Sequence, residues 1–233
     1  FELTAEGIDV PVDDSNLITK VYKLLKDKTK NADPEFKIHL IKRIPIGAGL
    51  GGGSSNAGVT IKALNKLWHL NMAMKEMESI SLDLGADVAF FINGGVQHAT
   101  GIGDKLNPIN SLFLNGKKIL LISPDFSIST VWAYKNVNKF LNVKKEILKF
   151  APLVTPVNWQ LFENDFEKVV KSTYPEIGEI INYLYKTDVL LAGLSGSGST
   201  VYGIYDQHND LKNIRELFPD SYHTFETHVN CDC

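Results

Sequence analysis

Cysteine is nearly absent from this chain: two occur in 233 residues, Cys231 and Cys233, both within its last three positions. Two residues apart, they are too close for an ordinary disulfide and have no partner elsewhere, which excludes a disulfide-stapled scaffold and points to a reducing compartment. A Cys-x-Cys metal tail is the alternative to a simple frayed end. The six histidines (39, 69, 98, 208, 223 and 228) lack zinc-site spacing. A basic excess is lacking too, since 24 Lys and Arg face 27 Asp and Glu for a net charge of −3, which argues against nucleic acid as a partner. The lysine-rich residues 135–149 carry Phe140, Leu141, Ile147 and Leu148 among the charges, and read as a solvated helix flank rather than a phosphate tract. No apolar run reaches membrane-span length, and residues 1–10 do not form a signal peptide. A cytoplasmic protein without a membrane partner is expected.

What is present suits one large or two small domains with room for a buried core. Residues 36–44 (FKIHLIKRI) put Phe36, Ile38, Leu40 and Ile44 on one face and predict a strand. Asp14, Ser15 and Asn16 form a capping cluster before LITKVYKLL, which predicts a helix start. Ala57, Ile61, Leu64 and Trp68 at helical spacing predict a helix over 54–70, and another is expected near 74–84, stopped by Gly85. Beyond Pro108 the pattern predicts strands at 118–122, 189–194, 201–205 and 222–229. Helices are predicted at 130–139, 164–171, 175–185 and 209–217. This second half reads as a ferredoxin-like α+β layer, with a domain boundary near residue 110: domains 1–110 and 111–233.

Five glycines crowd residues 44–55 (IPIGAGLGGGSS), a density that no ordinary strand or helix tolerates. Gly47 to Gly52 satisfies G-x-G-x-x-G, but Pro45 interrupts the approach and a second helix, not a strand, follows the first, so the dinucleotide-binding reading is weak. A Walker A loop fails because Gly53 stands where lysine is required. What survives is a row of backbone N–H groups at a helix start, able to cradle an anion, with the hydroxyls of Ser54 and Ser55 suited to a phosphate oxygen or magnesium. A flexible surface loop is the alternative. Valine at Gly52 or Gly53 is expected to fill the phosphate space and to resist a positive φ. Ser195-Gly196-Ser197-Gly198-Ser199, between two apolar segments, is either a plain hairpin turn or a second wall around a polyphosphate. Asp87 stands alone among Ala86, Val88, Ala89, Phe90 and Phe91, so an expensive buried carboxylate is expected there. It is either a helix-capping aspartate or a general base.

In order, PIGAGLGGGSS (45–55), GADVAFF (85–91) and LSGSG (194–198) resemble the GHMP kinases, and the likeness runs from Asp14 onward. GLGGGSSNA, GADVAFF and Asn164-Asp165-Phe166-Glu167 place the likeness in the branch acting on a polyol linked to cytidine diphosphate. The resemblance implies a two-domain fold, ribosomal-S5-like then ferredoxin-like, and transfer of a phosphoryl group from ATP, with magnesium, to a hydroxyl of that small molecule. It implies ATP along Pro45, Ile46, Gly47, Ala48, Gly49, Leu50, Gly51, Gly52, Gly53, Ser54 and Ser55, with Asn16 and Lys42 lining the adenine pocket. Asp87 matches the family's base. Thr130, Ser195, Gly196, Ser197 and Gly198 fall in the substrate region, where Tyr134 matches a residue that stacks on cytosine. A monomer or weak homodimer is expected. The family's opening strand, with a catalytic lysine in K-x-N-L, and its following D-G-Y/F-H element do not occur here, so the first domain is expected to be incomplete at its start. Another small alcohol, mevalonate- or homoserine-like, and a non-catalytic binder on the same scaffold are the alternatives.

Overall fold

The computed structural model describes residues 1–29, 35–137 and 157–229. Cys231, Cys233 and the lysine-rich residues past Val137 lie outside the described residues.

The chain divides into two compact units, Phe1–Ile46 with Gly51–Ile109, and Gly47–Leu50 with Asn110–Cys233. In the first, β1 (Glu2–Gly7) runs parallel to β2 (Lys37–Lys42), pairing Leu3 with Ile38 and Gly7 with Lys42. Between them lies α1 (Leu17–Lys26), and after them come α2 (Gly52–Leu67), α3 (Met74–Ser81) and α4 (Ala86–Asn93). A hairpin, β3 (Gln97–Thr100) with β4 (Lys105–Pro108), closes the unit. Two-stranded sheets are marginal alone. The unit is held by its helices, which gather Val21, Leu25, Ala57, Ile61, Leu64, Val88 and Ile92 into one buried cluster. Each buried Leu or Ile contributes about 1.5–3 kcal/mol by leaving water.

The second unit runs β5 (Lys118–Ser123), α5 (Thr130–Val137), α6 (Asp165–Thr173), α7 (Pro175–Leu184), β6 (Leu191–Leu194), β7 (Val201–Tyr205), α8 (Lys212–Arg215) and β8 (His223–His228). Its four strands are antiparallel in the order β6-β7-β5-β8. That order with these crossovers is ferredoxin-like, as the sequence pattern predicts. Leu120, Ile122, Val170, Ile177, Leu184 and Tyr205 form its separate core. The predicted helix at 209–217 shrinks to the single turn of α8, whose first N–H, on Lys212, donates to the Asp210 carboxylate at 3.0 Å. Residues 195–199 join β6 to β7, which pair Leu194 with Val201, so the hairpin reading of that segment holds.

Candidate active site

The glycine run is shared between the two units. Gly47–Leu50 goes with the second unit, and Gly51 onward with the first.

In the first unit, Gly51 takes a left-handed conformation (φ 61°) and α2 starts at Gly52 with no side chain capping its first turn. Its opening N–H groups are therefore left to an anion, and the helix dipole favours one there. The left-handed turn is not Gly51's only reason to be glycine, since a Cβ there would lie 2.7 Å from the Phe91 ring. Phe91 also presses on Gly58 of α2, where a Cβ would come within 3.0 Å of the Phe91 Cβ. Phe91 thus fixes α4 against the start of α2. Gly52 and Gly53 are helical, so the expected positive φ is wrong for both; it belongs to Gly47, Gly49 and Gly51. A Cβ on Gly53 meets only Leu17, at 3.6 Å, whereas one on Gly52 would lie 2.8 Å from the Lys42 ammonium. Ser54 and Ser55, on the same first turn, are half-buried.

Lys42, the last residue of β2, is 6% exposed. Burial alone holds its pKa below the usual lysine value, and among the described residues no carboxylate pairs with it. A desolvated ammonium next to an uncapped helix start is a second feature suited to an anion. Pro45 is half-buried and Ile46 is 55% exposed. Asn16 instead secures the preceding helix, where its carbonyl oxygen caps α1 by accepting from the Ile18 N–H at 2.9 Å, and its amide donates to the Pro11 carbonyl at 2.6 Å.

Asp87 is exposed, which corrects the expectation of a buried carboxylate. It lies in the first turn of α4, and α4 turns Val88, Ala89 and Ile92 inward instead. Nor does it cap the helix, since the residue at that position is Gly85, with no side-chain bond.

In the second unit the two glycine-rich segments touch. The Ser195 hydroxyl donates to the Gly49 carbonyl at 2.9 Å, the Thr200 N–H to the Ala48 carbonyl at 3.0 Å, and the Ile128 N–H to the Gly47 carbonyl at 3.4 Å. Gly49 (φ 74°) is obligatory for this contact, because a Cβ would lie 2.0 Å from the Ser195 carbonyl oxygen. Ala48 is buried, and Leu50 half-buried. Thr130 and Ser197 share a hydroxyl–hydroxyl bond of 3.0 Å. Gly196 is exposed, while Ser197, Gly198 and Ser199 are buried. Tyr134 is 62% exposed and meets Phe166 edge to face, ring centroids 4.9 Å apart, which leaves at least one face of its ring free of Phe166. Sequence reasoning assigns no role to Thr200. Phe91, Asn164 and Glu167 enter it only inside family motifs, and Asn164 also as the start of the helix predicted at 164–171.

Among the described residues no three His, Cys, Asp or Glu side chains gather to hold a metal. Magnesium keeps several waters and binds mostly through substrate phosphates, needing only one or two protein oxygens. The half-buried Ser54 and Ser55 carry the hydroxyl oxygens at the start of α2 that the sequence offers for it.

Comparison with known proteins places the chain in a family. The GHMP kinases N terminal domain family matches residues 16–95, and the GHMP kinases C terminal family matches residues 155–223. A 4-diphosphocytidyl-2-C-methyl-D-erythritol kinase of Bacteroides thetaiotaomicron is 40% identical over 217 residues, covering 91% of this chain and 76% of that protein. Its counterpart in Prosthecochloris aestuarii is 36% identical, covering 92% and 76%. A crystal structure of 4-(cytidine 5'-diphospho)-2C-methyl-D-erythritol kinase matches with a TM-score of 0.67 at 25% identity, over 87% of this chain and 72% of that one. The homoserine kinase of Cytophaga hutchinsonii, at 0.66 and 15% identity over 97% and 80%, shares the fold. The chain spans about three quarters of the length of the curated relatives it matches.

Proposed function

The chain belongs to the GHMP kinases, within the family of 4-diphosphocytidyl-2-C-methyl-D-erythritol kinases, and from that premise we propose that it is a cytoplasmic enzyme transferring the γ-phosphoryl group of ATP to the 2-hydroxyl of that cytidyl polyol. The reaction supplies a step of non-mevalonate isoprenoid precursor synthesis. The observation that carries the reading is the uncapped start of α2 with the desolvated Lys42 ammonium beside Gly52. Phosphoryl transfer asks little covalent chemistry of a protein; positioning and charge stabilisation do most of it. The N–H groups of Gly52, Gly53 and Ser54 hold phosphate oxygens, and so does the Lys42 ammonium, which the resemblance puts at the adenine but which lies beside Gly52 at the helix start. Magnesium, when bound with ATP, neutralises further charge there. Asp87 takes the proton of the 2-hydroxyl as its oxygen bonds to the γ-phosphorus and ADP departs with the electrons of the broken bond. An exposed carboxylate suits that role, since it is open to an incoming substrate.

Tyr134 supplies selectivity by stacking its free face on the cytosine, which only a nucleotide-bearing substrate offers. The test is steady-state turnover of the purified protein with ATP and the cytidyl-methylerythritol substrate, compared with homoserine and mevalonate. Tyr134→Ala should raise KM for the cytidyl substrate by roughly 5- to 150-fold, the equivalent of a base stack of about 1–3 kcal/mol, and spare ATP. Equal turnover of a substrate without the base, or an unchanged KM in the variant, would refute the assignment.

A further inference from the structure

Asn164 makes more bonds than a cap requires. Its carbonyl oxygen caps α6 by accepting from the Phe166 N–H at 2.9 Å. Its amide meanwhile donates to two backbone carbonyls across the fold, Leu194 at 2.7 Å and Gly196 at 2.8 Å. One helical turn on, the Glu167 carboxylate accepts from the Leu194 N–H at 3.0 Å and is itself held by the Lys171 ammonium. The end of β6 and the first glycine of the β6–β7 loop are therefore gripped on both sides by the start of α6. That loop in turn grips Gly47–Leu50, through the Ser195 hydroxyl on the Gly49 carbonyl and the Thr200 N–H on the Ala48 carbonyl.

We propose that Asn164, with Glu167 beside it, is a positioning residue for phosphoryl transfer: it fixes the β6–β7 loop, and through that loop the leading half of the glycine run. A glycine-rich backbone presents its N–H groups usefully only when something else removes its conformational freedom. In this chain the restraint comes from α6, more than 100 residues later in sequence. Glycine at 49 and 196 lets the two loops lie backbone to backbone; the amide of Asn164 supplies the two donors that hold the second loop in place. The proposal rests on the reading of the glycine run as the ATP site.

Asn164→Asp separates this role from capping. Aspartate caps helices as well as asparagine, so α6 should persist, and the melting temperature should fall only by the few degrees that the two lost amide bonds cost. The substituted carboxylate has no donor and would face two carbonyl oxygens. Hydrogen exchange at residues 47–50 and 194–200 should quicken. The Kd of the non-hydrolysable analogue AMPPNP with magnesium, by calorimetry, should rise about tenfold or more, as expected for two lost hydrogen bonds. Protonation returns one O–H donor to the substituted side chain, so part of the loss, relative to wild type at each pH, should reverse on acidification. A role in capping alone predicts no such reversal. Unchanged exchange in both loops overturns the clamp, and quickened exchange with unchanged AMPPNP affinity overturns its positioning role. If wild type binds no AMPPNP, the ATP reading fails while the exchange result still decides the clamp. Should Asn164→Asp not fold, Ser195→Ala decides instead, and unaltered exchange at 47–50 there refutes the chain of contacts.

Discussion

An ammonium taken out of water carries a penalty unless a negative charge compensates it, and Lys42 lacks a carboxylate partner among the described residues. Its pKa is lowered on folding, so the unfolded chain binds that proton more tightly than the folded one. The sign follows: the penalty is fully present below the lowered folded pKa and fades as pH rises toward the ordinary lysine value of 10.5. Lys42→Met keeps the stem and removes the charge. At neutral pH it should melt a few degrees higher, by about 1 kcal/mol of stability, with the advantage shrinking in alkali. The same change should weaken AMPPNP binding roughly 10- to 100-fold, the worth of a charge-assisted hydrogen bond. A residue kept for packing alone would lower both quantities together. Thermal melts across pH with parallel calorimetry distinguish the two outcomes. Nothing at sequence level marks Lys42 as buried, because a lysine at the end of an alternating strand reads as an edge residue. Its burial arises where the chain turns back along the start of α2, which is a tertiary effect.

Elements with strong local signals were legible and those without were not. The Asp14–Asn16 cluster located α1, and the glycine-to-helix transition located α2, because caps and periodicity act over a few residues. The short strands β1, β3 and β4 escaped notice. Gln97, His98, Ala99 and Thr100 offer no alternation of apolar and polar residues, and only the glycines of the 101–103 turn hint at a hairpin. The expectation for Asp87 failed for a related reason. GADVAFF reads as a continuous apolar run, but wound as a helix it spreads those residues round the axis and leaves Asp87 outward. This reverses one consequence of the general-base assignment. A buried carboxylate would make Asp87→Asn stabilising, whereas an exposed one in the first turn of α4 interacts favourably with the helix dipole. Asp87→Asn should therefore cost about 0.3–1 kcal/mol of stability at low ionic strength. Turnover should fall roughly 10²–10⁴-fold, the usual worth of a general base, with ATP affinity little changed. Full turnover in the folded variant would remove Asp87 from the reaction.

At the scale of the whole molecule, sequence order and structural membership part company at the glycine run. The sequence pattern puts every residue before 110 in one domain, yet Gly47–Leu50 is bonded to the second unit by Ser195, Thr200 and Ile128. No local rule announces this, since the partners lie about 80 to 150 residues away and are a serine, a threonine and an isoleucine in loops. The two hydrophobic clusters share no residue, so a perturbation of one need not reach the other. Gly49→Ala turns this into a measurement. The variant has to place a Cβ at positive φ and 2.0 Å from the Ser195 carbonyl oxygen, so the loops must separate. Backbone strain with lost hydrogen bonds should cost about 1–3 kcal/mol. By position in the chain, the damage would be expected in the flanking β2 and α2. By structure it should appear as faster hydrogen exchange in β6, β7 and β5, while the amides of Ala57, Ile61 and Leu64 in α2 keep their protection. The opposite pattern, with α2 opening and the four-stranded sheet unchanged, would show that Gly47–Leu50 belongs with the first unit after all.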